Sequence, residues 1–400
     1  MSKIYDCIRK TDENDILKKN EPKILDRKSE DIPNREKKVE DNVPKDDKNK
    51  KNNITDTKNN GEKKITLEEI KNQCPSSFLE KFELLQLVKS GSAGCMVKGQ
   101  LNTKNNNINR LIGFKFLIDP KRESRKTKND HNKHLEISML NLLKNPHFPE
   151  ILGYYKIGED SCIAMEYVKY GDLENFKKNI LKRCSLSETF VLFIAGGIID
   201  ALEYLHYRQK IIHMDIKQQN ILIDDFLVVK LTDFSVSLKY KTSKDYINLP
   251  MVGTCYYMSP EVLDRKRINV KNACKIDIYS LGVLLYLLAY CDYPYKLNSV
   301  DSKNYSQIKA NILNNELEFP KETGHSQLFE DFLKKCLNKD ITERYNLCQL
   351  KNHPWYKGYQ IILNEKEKVY NAGKFVIDLM VDNILSFNKY LEKFKYQKEP

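Results

Sequence analysis

The first sustained alternation of apolar and polar positions begins at Phe82, where FELLQLVKSGSAGCMVKGQL spaces its large apolar side chains around a glycine-containing turn. Period-two spacing sends successive side chains to opposite faces of a sheet, so this stretch predicts two antiparallel strands. A polar, Asn-rich stretch over 102–109 leads into the apolar run 111–118 (LIGFKFLI), the pattern of a buried strand. Spacing of three and four, which lines one side of a helix, first appears over 134–143 and then dominates 192–205, 276–290 and 328–337. Strands therefore precede helices. That segregation predicts an α+β fold of two lobes, a small antiparallel sheet over 82–164 and a larger helical part over 172–355, joined by a hinge at 165–171.

Outside these limits the texture changes. Positions 1–78 hold 19 Lys and Arg against 17 Asp and Glu with few large apolar residues, too little burial to offset the entropy of ordering. They read as a disordered mixed-charge tail. Beyond Trp355, the segment 356–400 carries Phe375, Leu379, Ile384, Phe387, Leu391 and Phe394 at helical spacing. This predicts an amphipathic helix that either packs back on the domain or binds a regulatory partner.

Charge and sorting signals narrow the function classes. The chain carries a net +12, of which the tail supplies only +2, so no basic arm for nucleic acid is expected. The remaining excess reads as a solvated face, or as a preference for acidic partners. MSKIYDCIRK lacks the apolar core of a secretory signal, Ser2 stands where N-terminal acylation needs Gly, and the longest apolar run, 281–290, is too short to span a bilayer. An intracellular, cytoplasmic protein without a membrane span is expected. Ten Cys occur without a C-x-x-C pair, which fits neither a zinc site nor a disulfide framework; free thiols are expected, Cys95 and Cys255 included.

Two segments carry the chemistry. HMDIKQQN (213–220) sets Asp215 five positions before Asn220, in a loop between a helix and an apolar strand. Thirteen residues beyond Asn220, Asp233 opens DFS at the end of a second short strand. Phosphoryl transfer from a nucleotide needs phosphate clamps, hard oxygen ligands for a metal and one carboxylate to orient a hydroxyl. In type, order and spacing the two segments resemble the catalytic loop H-R-D-x-x-x-x-N and the D-F-G of eukaryotic protein kinases, serine/threonine type. Upstream, IGFK (112–115) resembles the family's V-A-I-K, and Glu136 in EISML matches its ion-pair partner. Downstream, GTCYYMSPE (253–261) resembles the segment ending in A-P-E, Asp277 in DIYSLGV matches the family's buried helix aspartate, and Arg344 suits a pair with Glu261. The resemblance covers Phe82 to Trp355.

What the resemblance implies can be stated residue by residue. ATP binds between the lobes with Mg2+, and the substrates are proteins. Lys115, positioned by Glu136, contacts the α- and β-phosphates; Asn220 and Asp233 ligate Mg2+; Asp215 orients the substrate hydroxyl; Lys217 neutralises the γ-phosphate. Met96 lies above adenine and Gly113 stands where the family has Ala, a compensation in volume. Met165 guards the back of the pocket, Glu166 and Val168 offer main-chain hydrogen bonds to adenine, Asp172 reaches the ribose, and Leu222 completes the nucleotide-binding set. Gly91 and Gly94 allow close backbone approach to phosphates, and Lys89, which replaces the first glycine of the pattern and is counted with them in the nucleotide-binding set, either adds a cation near the phosphates or projects into water, the second being the expectation.

Lys217 and Thr254 match Ser/Thr-directed members, whereas the neutral Gln219 predicts no strong requirement for Arg upstream of the target. Met214 replaces the Arg that in many members binds an activation-segment phosphate, so phosphorylation over 236–252 is expected to matter little. Because Lys89, Met214 and Ser235 all depart from the family pattern, the rival reading is a pseudokinase that binds nucleotide or scaffolds other proteins. A small-molecule or lipid kinase is disfavoured by GTCYYMSPE, which resembles a protein-docking segment.

Overall fold

In the computed structural model the described residues run from 65 to 360, apart from 92–93, 103–109, 118–135, 159, 182–184, 225–227, 243–244 and 321–323. The charged tail up to 64, most of the Asn-rich stretch and the helix expected within 361–400 lie outside them.

Two helices precede the first strand: α1 (Leu67–Gln73) and α2 (Ser76–Lys81). The Thr66 side chain accepts from Glu69 N–H while the Glu69 carboxylate accepts from Thr66 N–H, a reciprocal cap that starts α1. Ile70 and Phe78 are buried. Phe78 meets Phe82, Phe114 and Tyr155 at ring-centroid separations of 5.1, 5.6 and 5.3 Å. Within the segment expected to be a disordered tail, residues 67–73 and 76–78 are instead helical and pack ahead of the first strand at Phe82. Averaged composition hides these few apolar side chains, whose partners at 114 and 155 lie far along the chain.

Strands β1 (Phe82–Gly91), β2 (Gly94–Leu101), β3 (Leu111–Leu117), β4 (Ile151–Ile157) and β5 (Asp160–Glu166) form an antiparallel sheet ordered β1-β2-β3-β5-β4. Alternation along β3 separates structure from chemistry. Phe114 and Phe116 turn to the aromatic cluster around Phe78, so Gly113 and Lys115 take the opposite face. The register sets Lys115 across from Met96 on β2 and Ile163 on β5, and Gly113 across from Met165.

The remainder is helical. A helical turn, α3, covers 136–140. Helices α4 (Glu188–Glu203) and α5 (Lys275–Tyr290) are buried along almost their whole length. The stretches Glu188–Gln209 and Val270–Tyr290 are long and apolar enough to cross a membrane, but most of each is buried inside the protein, as in core helices. Four short strands frame the centre: β6 (Ile211–Ile212), β7 (Ile221–Ile223), β8 (Val229–Leu231) and β9 (Leu238–Lys239), with β7 paired to β8 and β6 to β9. A Cβ on Gly197 of α4 would stand 2.5 Å from Val229 Cβ, so only glycine lets this helix support β8 directly. Among the described cysteines, Cys95, Cys255 and five others are free thiols; Cys291 is disulfide-bonded, contrary to the expectation of free thiols throughout.

Candidate active site

The loop 213–220 is fixed from below. Asp277, in the first turn of α5, accepts hydrogen bonds from His206 Nε2 (2.8 Å), His213 N–H (2.8 Å) and Met214 N–H (2.9 Å). Burial would raise its pKa, but these donors and the nearby imidazoles outweigh it and hold the carboxylate below the usual range. His213 is buried and its pKa is lowered by that burial. Its Nδ1 accepts from Asp215 N–H (3.3 Å), which leaves the Nε2 proton for Thr232 O (3.1 Å). Met214 adopts a left-handed φ of 71° and buries its thioether.

Asp215 is held on every side. Its Oδ1 accepts from Thr254 N–H (2.9 Å) and Thr254 Oγ1 (3.2 Å), and its Oδ2 from Lys217 Nζ (2.6 Å) and Asn220 Nδ2 (3.0 Å). Lys217 also donates to Thr254 Oγ1 at 2.9 Å, which ties the loop to the segment beyond residue 250. Gly253 makes this approach possible: it has φ +97°, and a Cβ there would lie 2.7 Å from Met214 O.

Across from this loop, Lys115 Nζ lies 2.5 Å from Glu136 Oε1 on α3 and 3.4 Å from Asp233 Oδ1. Burial opposes the ammonium charge, yet the two carboxylates together overcome it and raise the Lys115 pKa. Asp233 sits at φ 69°. Its burial would raise its pKa, but Lys115 and then the Ser235 hydroxyl bring it down to about 2. Asn220 spends its amide nitrogen on Asp215 O and Oδ2, which leaves Oδ1 as an oxygen ligand. Among the described residues no cluster of three or more His, Cys, Asp or Glu can hold a metal alone. Asp233 and Asn220 instead suit Mg2+, which takes one or two protein ligands and completes its shell with phosphates and water.

The side of the cleft expected to take adenine is apolar. A Cβ on Gly113 would find Met96 Sδ and Met165 Cγ both at 3.6 Å, ordinary contact, so the two thioethers line the space next to the family's Ala position. Met165 and Val168 are buried at the hinge. The Glu166 side chain is occupied elsewhere, accepting from Lys230 Nζ (3.0 Å) and Glu150 N–H (3.2 Å). Asp172 caps the helical turn beginning at Leu173 through Asn175 N–H (2.9 Å) and forms an isolated antiparallel bridge with Leu222. Gly91 and Gly94 close the β1–β2 hairpin as register partners. Lys89 does not simply project into water: its Nζ reaches Asp172 Oδ2 at 3.2 Å. A buried carboxylate across the cleft, within reach of a four-carbon stem, is the reason.

Sequence reasoning missed Lys230 and His206. Lys230 is buried among the apolar residues of β8 and bonds Pro146 O (3.0 Å) as well as Glu166. A lone Lys inside VVKLT was the available signal. Farther out, Arg344 Nη1 and Nη2 grip Glu261 Oε1 and Oε2 at 2.7 and 3.1 Å.

The protein kinase domain family matches residues 82–356. The chain is 31% identical over 289 residues to the serine/threonine-protein kinase TIO of Arabidopsis thaliana, an overlap of 72% of this chain and 20% of that protein. It is 30% identical to calcium-dependent protein kinase 6 of Plasmodium berghei, over 66% of this chain and 17% of the relative, and 30% identical to serine/threonine-protein kinase dst2 of Dictyostelium discoideum, over 72% and 23%. It thus spans about a fifth of these relatives' length. The match takes in every residue of the candidate site described above, though not α1 and α2, and the chain belongs to the protein kinase family, serine/threonine type.

Proposed function

We propose that the chain is an active, ATP- and Mg2+-dependent protein kinase that phosphorylates serine and threonine. The observation that carries this reading is the charged triad of Lys115, Glu136 and an ionised Asp233. Such preorganised charge is the main thing a phosphoryl transferase must supply. Bound Mg-ATP supplies the transferable γ-phosphoryl group. Met96, Leu222, Gly113 and Met165 would hold the adenine, and the main chain of Glu166 and Val168 would supply its polar partners. Asp172 takes the ribose, the backbone at Gly91 and Gly94 and the Lys115 ammonium take the phosphates, and Asp233 and Asn220 take the metal. Asp215 orients the incoming hydroxyl, and Lys217, 2.6 Å from it, meets charge building on the γ-phosphate.

A scaffold without catalysis is the rival. Ser235 speaks against it, because its hydroxyl helps to lower the pKa of Asp233 and so favours the ionised ligand that Mg2+ requires. Transfer of label from γ-labelled ATP to arrayed peptides, with melting curves in Mg-ATP, tests the reading. Labelled Ser and Thr without an upstream Arg preference are expected. Stabilisation by Mg-ATP without transfer would establish the scaffold, and a tyrosine-dominated array would overturn the specificity. The tail and 356–400 remain the proposed seats of a regulatory partner, and the cytoplasm the proposed location.

Activation-segment phosphorylation is expected to add little. The segment is fastened by β6–β9 pairing, by Ser237 Oγ to His213 O (3.0 Å) and by Tyr240 Oη to His206 O (2.5 Å). Residues Tyr246–Asn248 pair with Arg267–Asn269, and Leu249 is buried. Phosphatase-treated enzyme, and a variant carrying Thr242→Ala, Ser243→Ala and Tyr246→Phe, should keep most of their turnover. A hundredfold drop restored by rephosphorylation, about 2.7 kcal/mol of barrier, would refute this.

A further inference from the structure

The contact between Lys89 and Asp172 carries a consequence for sugar recognition. Lys89 stands on β1 at the edge of the glycine turn, opposite Met96 in the hairpin register, while Asp172 begins the helical part just past the hinge. Their 3.2 Å ion pair therefore spans the mouth of the cleft. Both oxygens of Asp172 are engaged: Oδ1 caps Asn175 N–H, and Oδ2 takes the ammonium. The carboxylate is 7% exposed, the lysine 54%. One partner is thus a fixed, buried acceptor and the other a long side chain that can swing into water.

We infer that Lys89 is a specificity-determining residue that competes with the ribose hydroxyls for Asp172, so that this protein reads the sugar of its nucleotide weakly. The inference rests on the nucleotide reading of the cleft given above. A hydroxyl donating to a carboxylate makes a charge-assisted bond and normally penalises a deoxy sugar severalfold or more. Here that bond must first displace, or share an oxygen with, an ammonium already in place. Because Lys89 is more than half exposed, its hold is that of a surface pair, weak enough to be displaced and strong enough to blunt the discrimination a few-fold. The same exposure makes the effect sensitive to salt.

Direct binding tests this without turnover. Dissociation constants for Mg-ATP and Mg-2′,3′-dideoxy-ATP would be measured by calorimetry on the full chain and on Lys89→Met and Lys89→Gly variants, at low and at high salt. The ratio of the two constants is expected to be about threefold or more larger in both variants than in the parent at low salt. High salt should raise the parent's ratio toward theirs and leave theirs unchanged. Equal ratios in all three proteins, or a larger ratio in the parent, would overturn the competition while leaving the nucleotide site intact. Failure of every protein to bind either nucleotide would instead remove the reading of the cleft, and the competition with it.

Discussion

Lys115→Met and Asp233→Asn are each expected to lower kcat/KM for peptide phosphorylation by at least about a thousandfold, roughly 4 kcal/mol of transition-state stabilisation. Lys115 places the only ammonium that contacts both Glu136 and Asp233 among the described residues, and Asp233 is the carboxylate kept ionised beside it. Neither change should unfold the protein. Asn matches Asp in size, and in Lys115→Met the burial of Glu136, which already raises its pKa, favours a proton on the orphaned carboxyl rather than a naked charge. Labelled phosphate transfer, read beside a circular-dichroism melt, decides the matter. Substantial turnover by either folded variant, once contaminating kinase is excluded, would remove the proposed mechanism.

The second large effect concerns stability. Arg344 is fully buried and, besides its two bonds to Glu261, donates to Asn338 O (3.0 Å) and Lys275 O (3.1 Å), with its guanidinium 4.9 Å from the Tyr279 ring centroid. Arg344→Ala would leave Glu261 buried and uncompensated and two carbonyls without their donor. Such a loss costs about 3–5 kcal/mol, a large part of the ~5–15 kcal/mol that holds a domain folded. Arg344→Lys should recover little of it, since an ammonium cannot make the paired fork. Guanidinium unfolding of both variants checks this, and a midpoint for Arg344→Ala within error of the parent's would contradict it. Because Glu261 closes GTCYYMSPE, partial destabilisation should also loosen the segment on which Thr254 grips Asp215.

Much of the site was legible because kinase chemistry fixes residue types at short spacings. Asp215, Asn220 and Asp233 could be read from loop and strand patterns and Lys115 from the resemblance of IGFK to V-A-I-K, whereas its place on the face opposite Phe114 comes from the fold. What stayed hidden depends on contacts between distant segments. Helices α1 and α2 sat inside a polar average, since their Phe78 acquires meaning only against Phe114 and Tyr155. Lys89 was assigned to solvent because nothing local shows that a capping carboxylate waits 83 positions away. His206 and the φ of Gly253 were likewise invisible, and the partners of the lone Lys230 in VVKLT could not be named, each being set by groups brought in by the fold.

The helices before β1 bear on how the protein should be shortened. A fragment cut at the family boundary, beginning at Phe82, would strip Phe78 from the rings of Phe82, Phe114 and Tyr155 and leave an aromatic face bare to solvent. Exposed patches of that kind seek one another, so such a fragment should be prone to self-association and early heat inactivation. Keeping residues from Thr66 onward retains α1 with its cap and α2, and with them the cover that Phe78 gives those rings.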